Sequence, residues 1–292
     1  MFEGAGTALV TPFTKDGIDF ESLEKLINFQ IDNGIDNILV LGTTGEPSTM
    51  TLSEKLEVVK FTVEKVNHRA KVVVGVGCNC TQSTIDMCKQ ISSLDVDGLL
   101  IVTPYYNKAN QDGVFQHYSA IAKSTTLPII AYNVPYRTGV NMLPETFRRI
   151  VDKHSNVVAV KEASGNMQQI MEYIDILKDT NAIVLSGDDA LTVPTVALGG
   201  KGIISVAANI IPKEVSKMTS IALSGDIGKA SQIQLQLLSL MKELFCDVNP
   251  IPIKKATELM GLTNGILRLP LTKLDASKTK KLTNKLKEYS LC

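Results

Sequence analysis

Short, almost continuously apolar runs recur along the first three-quarters of the chain, separated by stretches with helical spacing. The runs fall at residues 4–10, 37–41, 72–76, 98–102, 128–132, 157–161, 182–186 and 202–206. Continuous rather than alternating apolarity predicts parallel strands covered on both faces. Between them, Leu23, Leu26, Ile27 and Ile31 share one helical face, with Asp19 placed to cap it and Gly34 to stop it. Thr51-Leu52-Ser53-Glu54 matches a capping box, and Leu56, Val59, Val63 and Val66 continue its stripe. Similar patterns cover 112–124, 144–153, 166–179 and 192–198. After about residue 212 the strand pattern ends, and 212–224, 227–245, 251–260 and 276–289 read as helices.

Strand–helix units repeating every 25–35 residues or so predict an α/β fold, a (β/α)8 barrel. Residues 1–224 form the predicted barrel and 225–292 a C-terminal helical extension. The competing doubly wound sheet needs a phosphate loop after its first strand. Gly4-Ala5-Gly6 is followed by Thr7 and leads into a strand, and Gly75-Val76-Gly77 lacks a third glycine, so that reading is rejected.

Composition narrows the classes. The 292 residues carry 30 Lys+Arg against 30 Asp+Glu, which argues against a dedicated nucleic-acid binder. No apolar run is long enough for a membrane span, and the N-terminal residues have no signal-peptide pattern. Five cysteines without CxxC or zinc spacing read as free thiols of a cytoplasmic protein. Three dispersed histidines predict no metal site. The basic run 278–287 reads as a solvated helix face.

One residue departs from the apolar pattern with chemical consequence. Lys161 ends the run Val157-Val158-Ala159-Val160. A lone lysine there most often snorkels to water. Lowering its pKa from about 10.4 to roughly 7 costs about 4–5 kcal/mol. Such a cost is typical of a lysine kept neutral to form a Schiff base. Barrel sites gather at the C-terminal ends of strands, and there this sequence concentrates its polar residues. They are Gly42-Thr43-Thr44-Gly45-Glu46, Thr103-Pro104-Tyr105-Tyr106, Tyr132-Asn133-Val134-Pro135 with Arg137, Lys161-Glu162, Ser186-Gly187-Asp188-Asp189, and Ser205. Tyr132 suits proton transfer, with Thr44 handing protons onward. Thr43 and the turn amides suit a small carboxylate, and Arg137 a second one.

At these residues the chain resembles the dihydrodipicolinate synthases, within the pyruvate-dependent class I aldolases that also include N-acetylneuraminate lyases and keto-sugar-acid aldolases. The resemblance spans nearly the whole chain and is carried by GTTGE at 42–46, YNVPYRTG at 132–139, VKEASGN at 160–166 and SGDD at 186–189. It implies an imine between Lys161 and pyruvate, Tyr132 as general acid/base, and Thr44 linking Tyr132 to a Tyr106 that reaches a neighbouring subunit's site. It implies Thr43 and Thr44 on the pyruvate carboxylate, the main chain of Gly187 and Ile204 lining the pocket, and Arg137 on the carboxylate of L-aspartate 4-semialdehyde. Condensation then gives 4-hydroxy-tetrahydrodipicolinate, the first committed step of diaminopimelate and lysine biosynthesis. No metal or organic cofactor is implied, and the expected assembly is a homotetramer of tight dimers. Tyr136 departs from the small residue common before the arginine.

The family's lysine-binding cleft corresponds to Pro47, Ser48, Leu52, Lys55, Asn79, Ser83 and Tyr105. A glutamate common at the place of Ser83 is absent and Lys55 adds a like charge, so weak or no lysine inhibition is expected. Two alternatives stay open at this point: a sialic-acid or 2-keto-3-deoxy sugar-acid aldolase, and an inactive barrel used for binding.

Overall fold

The computed structural model describes residues 1–292. Eight parallel strands close into a barrel in sequence order: β1 Gly4–Ala8, β2 Asn37–Val40, β3 Lys71–Gly75, β4 Gly98–Val102, β5 Ile129–Asn133, β6 Val157–Glu162, β7 Ile183–Ser186 and β8 Gly202–Ser205. Each apolar run of the sequence coincides with one of these strands to within two residues at either end.

Side chains alternate along each strand between the barrel interior and the helix layer. Leu39, Val73, Leu100, Ile130, Ala159, Leu185 and Ile204 meet Ala8 and Phe2 in the interior cluster. The opposite faces join a larger core with the surrounding helices. That alternation fixes the site, because Tyr132 and Lys161 each stand two residues beyond an inward residue, Ile130 and Ala159. Both therefore point inward, one layer above the plug. Tyr132 and Lys161 are also direct partners across β5 and β6.

Helix caps follow the sequence closely. Asp19 accepts from the Ser22 amide at the start of the helix Phe20–Asp32. Thr51 and Glu54 make the reciprocal box at the start of Leu52–Val66. The helix Thr81–Ile91 carries no aliphatic stripe and was absent from the sequence pattern. Its buried face is Thr84, Cys88 and Ile91, two of them outside the aliphatic set that marks such stripes. The C-terminal helices Ile227–Glu243, Ile251–Leu259 and Ala276–Glu288 share the larger core through Leu237, Leu240, Ile253, Ala256, Leu282 and Leu286. No helix is long and apolar enough to cross a membrane.

Candidate active site

Lys161 is 5% exposed, and its ammonium makes no hydrogen bond or ion pair within the chain. Its Nζ lies 4.5 Å from the centre of the Tyr132 ring. Burial lowers its pKa to about 8, against the pull of the Asp189 carboxylate and with the Arg137 guanidinium adding to the fall. At neutral pH about a tenth of the amine is thus in the nucleophilic form.

Gly187 explains how the side chain fits. A Cβ there would lie 2.6 Å from the Ala163 Cβ and 3.1 Å from the Lys161 Cε. Only a glycine lets β7 turn this close to the lysine stem. Its amide donates to the Glu162 carbonyl at 2.7 Å, which ties the turn to β6.

Tyr132 is buried, and burial pushes its phenol above the ordinary range, with Tyr136 adding and Arg137 and a hydrogen bond with Thr43 opposing. The phenol is thus held as a proton donor. Thr43, Tyr132 and Arg137 share the wall of one cavity of about 350 Å³. The two charged side chains in that wall, Lys55 and Arg137, are both cations, so the cavity suits anionic ligands. Lys161 does not line this cavity itself and touches it through the Tyr132 ring.

The other expected residues take different positions. Thr44 is buried on the turn Thr43–Gly45, where its hydroxyl accepts from the Asn249 amide nitrogen at 3.0 Å. Gly187 borders a second cavity, with Tyr136, Asp188 and Phe245. Ile204 lies lower, in the barrel plug. Tyr106 is 87% exposed, with φ +73°, and stands outside its own chain's site.

The sequence places Asp189, Ser205 and Glu46 at strand ends, but two sets of partners they make carry no mark in it. Asp189 is buried and accepts from the Ser205 hydroxyl and from the Val206 and Ala207 amides, at 3.0 and 3.1 Å for the amides. It is the carboxylate whose charge opposes the fall in the Lys161 pKa, and it is held by its own donors rather than by the lysine. The second set is a clamp from the C-terminal helices. Lys254 donates to Glu46 and to the Ile266 carbonyl. The Arg268 amide donates to Glu46, and its guanidinium grips Glu54 with two hydrogen bonds, of 2.9 and 2.5 Å. Lys254 and Arg268 both stack on the Phe13 ring. Glu46 sits at φ +54°, a left-handed conformation that its two partners hold in place.

Residues 1–289 match the model of the dihydrodipicolinate synthetase family. The chain belongs to that family. It is 48% identical over 291 residues to the 4-hydroxy-tetrahydrodipicolinate synthase of Clostridium tetani, covering 100% of this chain and 99% of that one. Among solved structures, the dihydrodipicolinate synthase of Thermotoga maritima superposes with a TM-score of 0.98 at 43% identity, each chain covered in full. The Cyanidioschyzon merolae enzyme, solved with lysine bound, superposes with a TM-score of 0.95 at 39% identity, covering 100% of this chain and 99% of that one.

Proposed function

We propose that this chain condenses pyruvate with L-aspartate 4-semialdehyde to 4-hydroxy-tetrahydrodipicolinate, by way of an imine on Lys161. The carrying observation is a buried lysine with no ion pair at bonding distance, its pKa lowered to about 8, pressed against the Tyr132 ring.

The neutral Lys161 amine attacks the pyruvate carbonyl carbon. Tyr132 donates a proton to the departing hydroxyl, and water leaves to give the imine. The protonated imine nitrogen is the electron sink, so the methyl group loses a proton and an enamine forms. The reaction needs no metal or organic cofactor for that reason. The enamine carbon attacks the aldehyde, and a C–C bond forms as the aldehyde oxygen takes a proton. The amino group of the joined semialdehyde then displaces Lys161 at the imine carbon, which closes the ring and frees the enzyme. One water leaves overall.

In this reading Thr43 and Thr44 hold the pyruvate carboxylate and Arg137 that of the semialdehyde. Backbone at Gly187 and Ile204 shapes the floor. The exposed Tyr106 serves the neighbouring subunit of a homotetramer, linked there through Thr44 to Tyr132. The barrel, 1–224, supplies the chemistry, and the helical extension, 225–292, braces it. Five free thiols and two metabolite substrates fit a cytoplasmic enzyme.

The same cavity wall supports weak or absent inhibition by lysine. Pro47, Ser48, Lys55 and Tyr105 border it and no carboxylate does, so an ammonium ligand meets cations instead of a partner. Arg137 in the wall also favours an acceptor bearing a carboxylate over a sugar. The direct test is turnover of both substrates, coupled to dihydrodipicolinate reductase and followed by NADPH loss. Strong turnover supports the reading, and no turnover contradicts it. Half-inhibition at micromolar lysine contradicts the regulatory part alone.

A further inference from the structure

Asn249 stands just ahead of the helix Ile251–Leu259, outside the barrel, yet it bonds two residues of the site. Its amide nitrogen donates to the Thr44 hydroxyl oxygen at 3.0 Å. Its backbone carbonyl accepts from the Arg137 Nη2 at 3.1 Å. It is 6% exposed. Its side-chain oxygen Oδ1 is buried without a hydrogen-bond partner in the chain. A side chain placed for stability alone seldom leaves such an acceptor unpaired.

The Thr44 bond has a directional consequence. A hydroxyl has one proton to give and two lone pairs to receive with. Because Asn249 donates to Thr44, one Thr44 lone pair is taken and its proton is left for a different partner, which in the imine reading is a tyrosine of the relay. The carbonyl bond likewise constrains Arg137, since one N–H of its rigid fork is anchored and the plane of the others follows. The clamp explains why Asn249 holds its place. Lys254, five residues on, is paired to Glu46, which is two residues after Thr44, so the two segments are joined at two successive points.

We infer that Asn249 is a positioning residue for the condensation, setting the donor direction of Thr44 and the plane of Arg137. The inference rests on the imine reading of the site. It assigns part of the active-site geometry to the C-terminal helical segment, which no contact with the reacting atoms would reveal.

The test uses the full chain with Asn249→Asp, Asn249→Ala, Thr44→Val and the Asn249→Asp/Thr44→Val double variant. Asn249→Asp keeps the shape and the backbone carbonyl, but once ionised it has no N–H for Thr44. Each is assayed by borohydride trapping with pyruvate, by kcat and KM for both substrates, and by thermal melting. The expected result is an intact Lys161 imine in Asn249→Asp with kcat lowered by about 10–100-fold. Asn249→Ala keeps the backbone carbonyl but loses the tie to Thr44 that holds it beside Arg137, so it should also raise KM for the semialdehyde more than KM for pyruvate. In the Thr44→Val background, Asn249→Asp should cost less than about 3-fold, because the partner it acts through is gone. Losses that multiply in the double variant overturn the inference, as does an Asn249→Asp enzyme with unchanged kcat. If the wild-type chain forms no imine, the underlying reading falls and the inference with it; a wild-type imine with multiplicative losses removes the inference alone.

Discussion

Two lysines are buried in this molecule, and they differ in what surrounds them. Lys254, at the seam between the barrel and the C-terminal helices, gives its protons to Glu46 and the Ile266 carbonyl and rests on Phe13. Lys161, at the barrel mouth, makes no hydrogen bond or ion pair within the chain and faces an aromatic ring. Burial lowers the pKa of both, but at Lys254 the Glu46 carboxylate opposes it at contact distance. At Lys161 the one nearby carboxylate, Asp189, is already engaged by a hydroxyl and two amides. A buried lysine is therefore structural or reactive according to its partner, and burial alone does not distinguish the two.

The largest expected effect separates their roles in chemistry. Lys161→Met should abolish the pyruvate imine and all turnover that depends on it, whereas Lys254→Met should leave the imine-forming lysine in place. Borohydride trapping of both variants checks this. The next effect has the opposite distribution. Lys254→Met leaves the buried Glu46 carboxylate without its counter-ion, held only by the Arg268 amide, and should cost about 3–5 kcal/mol of stability in urea unfolding. Gly187→Ala sharpens the Lys161 side. Its new methyl group collides with Ala163 and crowds the lysine stem, so it should cost about 1–3 kcal/mol and slow imine formation.

A smaller effect is also the more diagnostic. The folded pKa of Lys161 lies below that of the unfolded chain, so the unfolded state binds more protons between pH 8 or so and about 10.5. Below this window the burden is fully present, roughly 3 kcal/mol at about 1.36 kcal/mol for each pH unit. Stability contributed by this group rises through the window and levels off above it. Lys161→Met should therefore stabilise the chain by about 1–3 kcal/mol at pH 7, and the gain should vanish above about pH 10.5. Unfolding at both pH values measures it. Imine formation in the wild type should accelerate with pH up to about 8 and then level, since the neutral amine is the nucleophile.

The same two regions show what a sequence makes legible. Lys161 and Tyr132 stand out because each ends an apolar run, and the period-2 alternation of their strands carries both inward. The Thr51 capping box was visible because its partners are three residues apart. Lys254 and Asn249 had no such signal: their partners Glu46 and Thr44 lie 208 and 205 residues away, and only the closed fold joins them. The helix Thr81–Ile91 was hidden by a different cause, an inner face built from Thr84 and Cys88. The family resemblance makes Thr44 a relay between two tyrosines. Its bond to Asn249 adds a third partner that takes one of its lone pairs. Tyr106 is exposed on its own chain, and nothing in the sequence pattern announces that exposure.

The most direct measurement is reduction of the wild-type protein with borohydride in the presence of pyruvate, followed by peptide mapping of the adduct. The contrast between the two buried lysines predicts modification at Lys161 and none at Lys254. An adduct at Lys254, or no adduct with pyruvate at all, would contradict the assignment of Lys161 as the reacting amine.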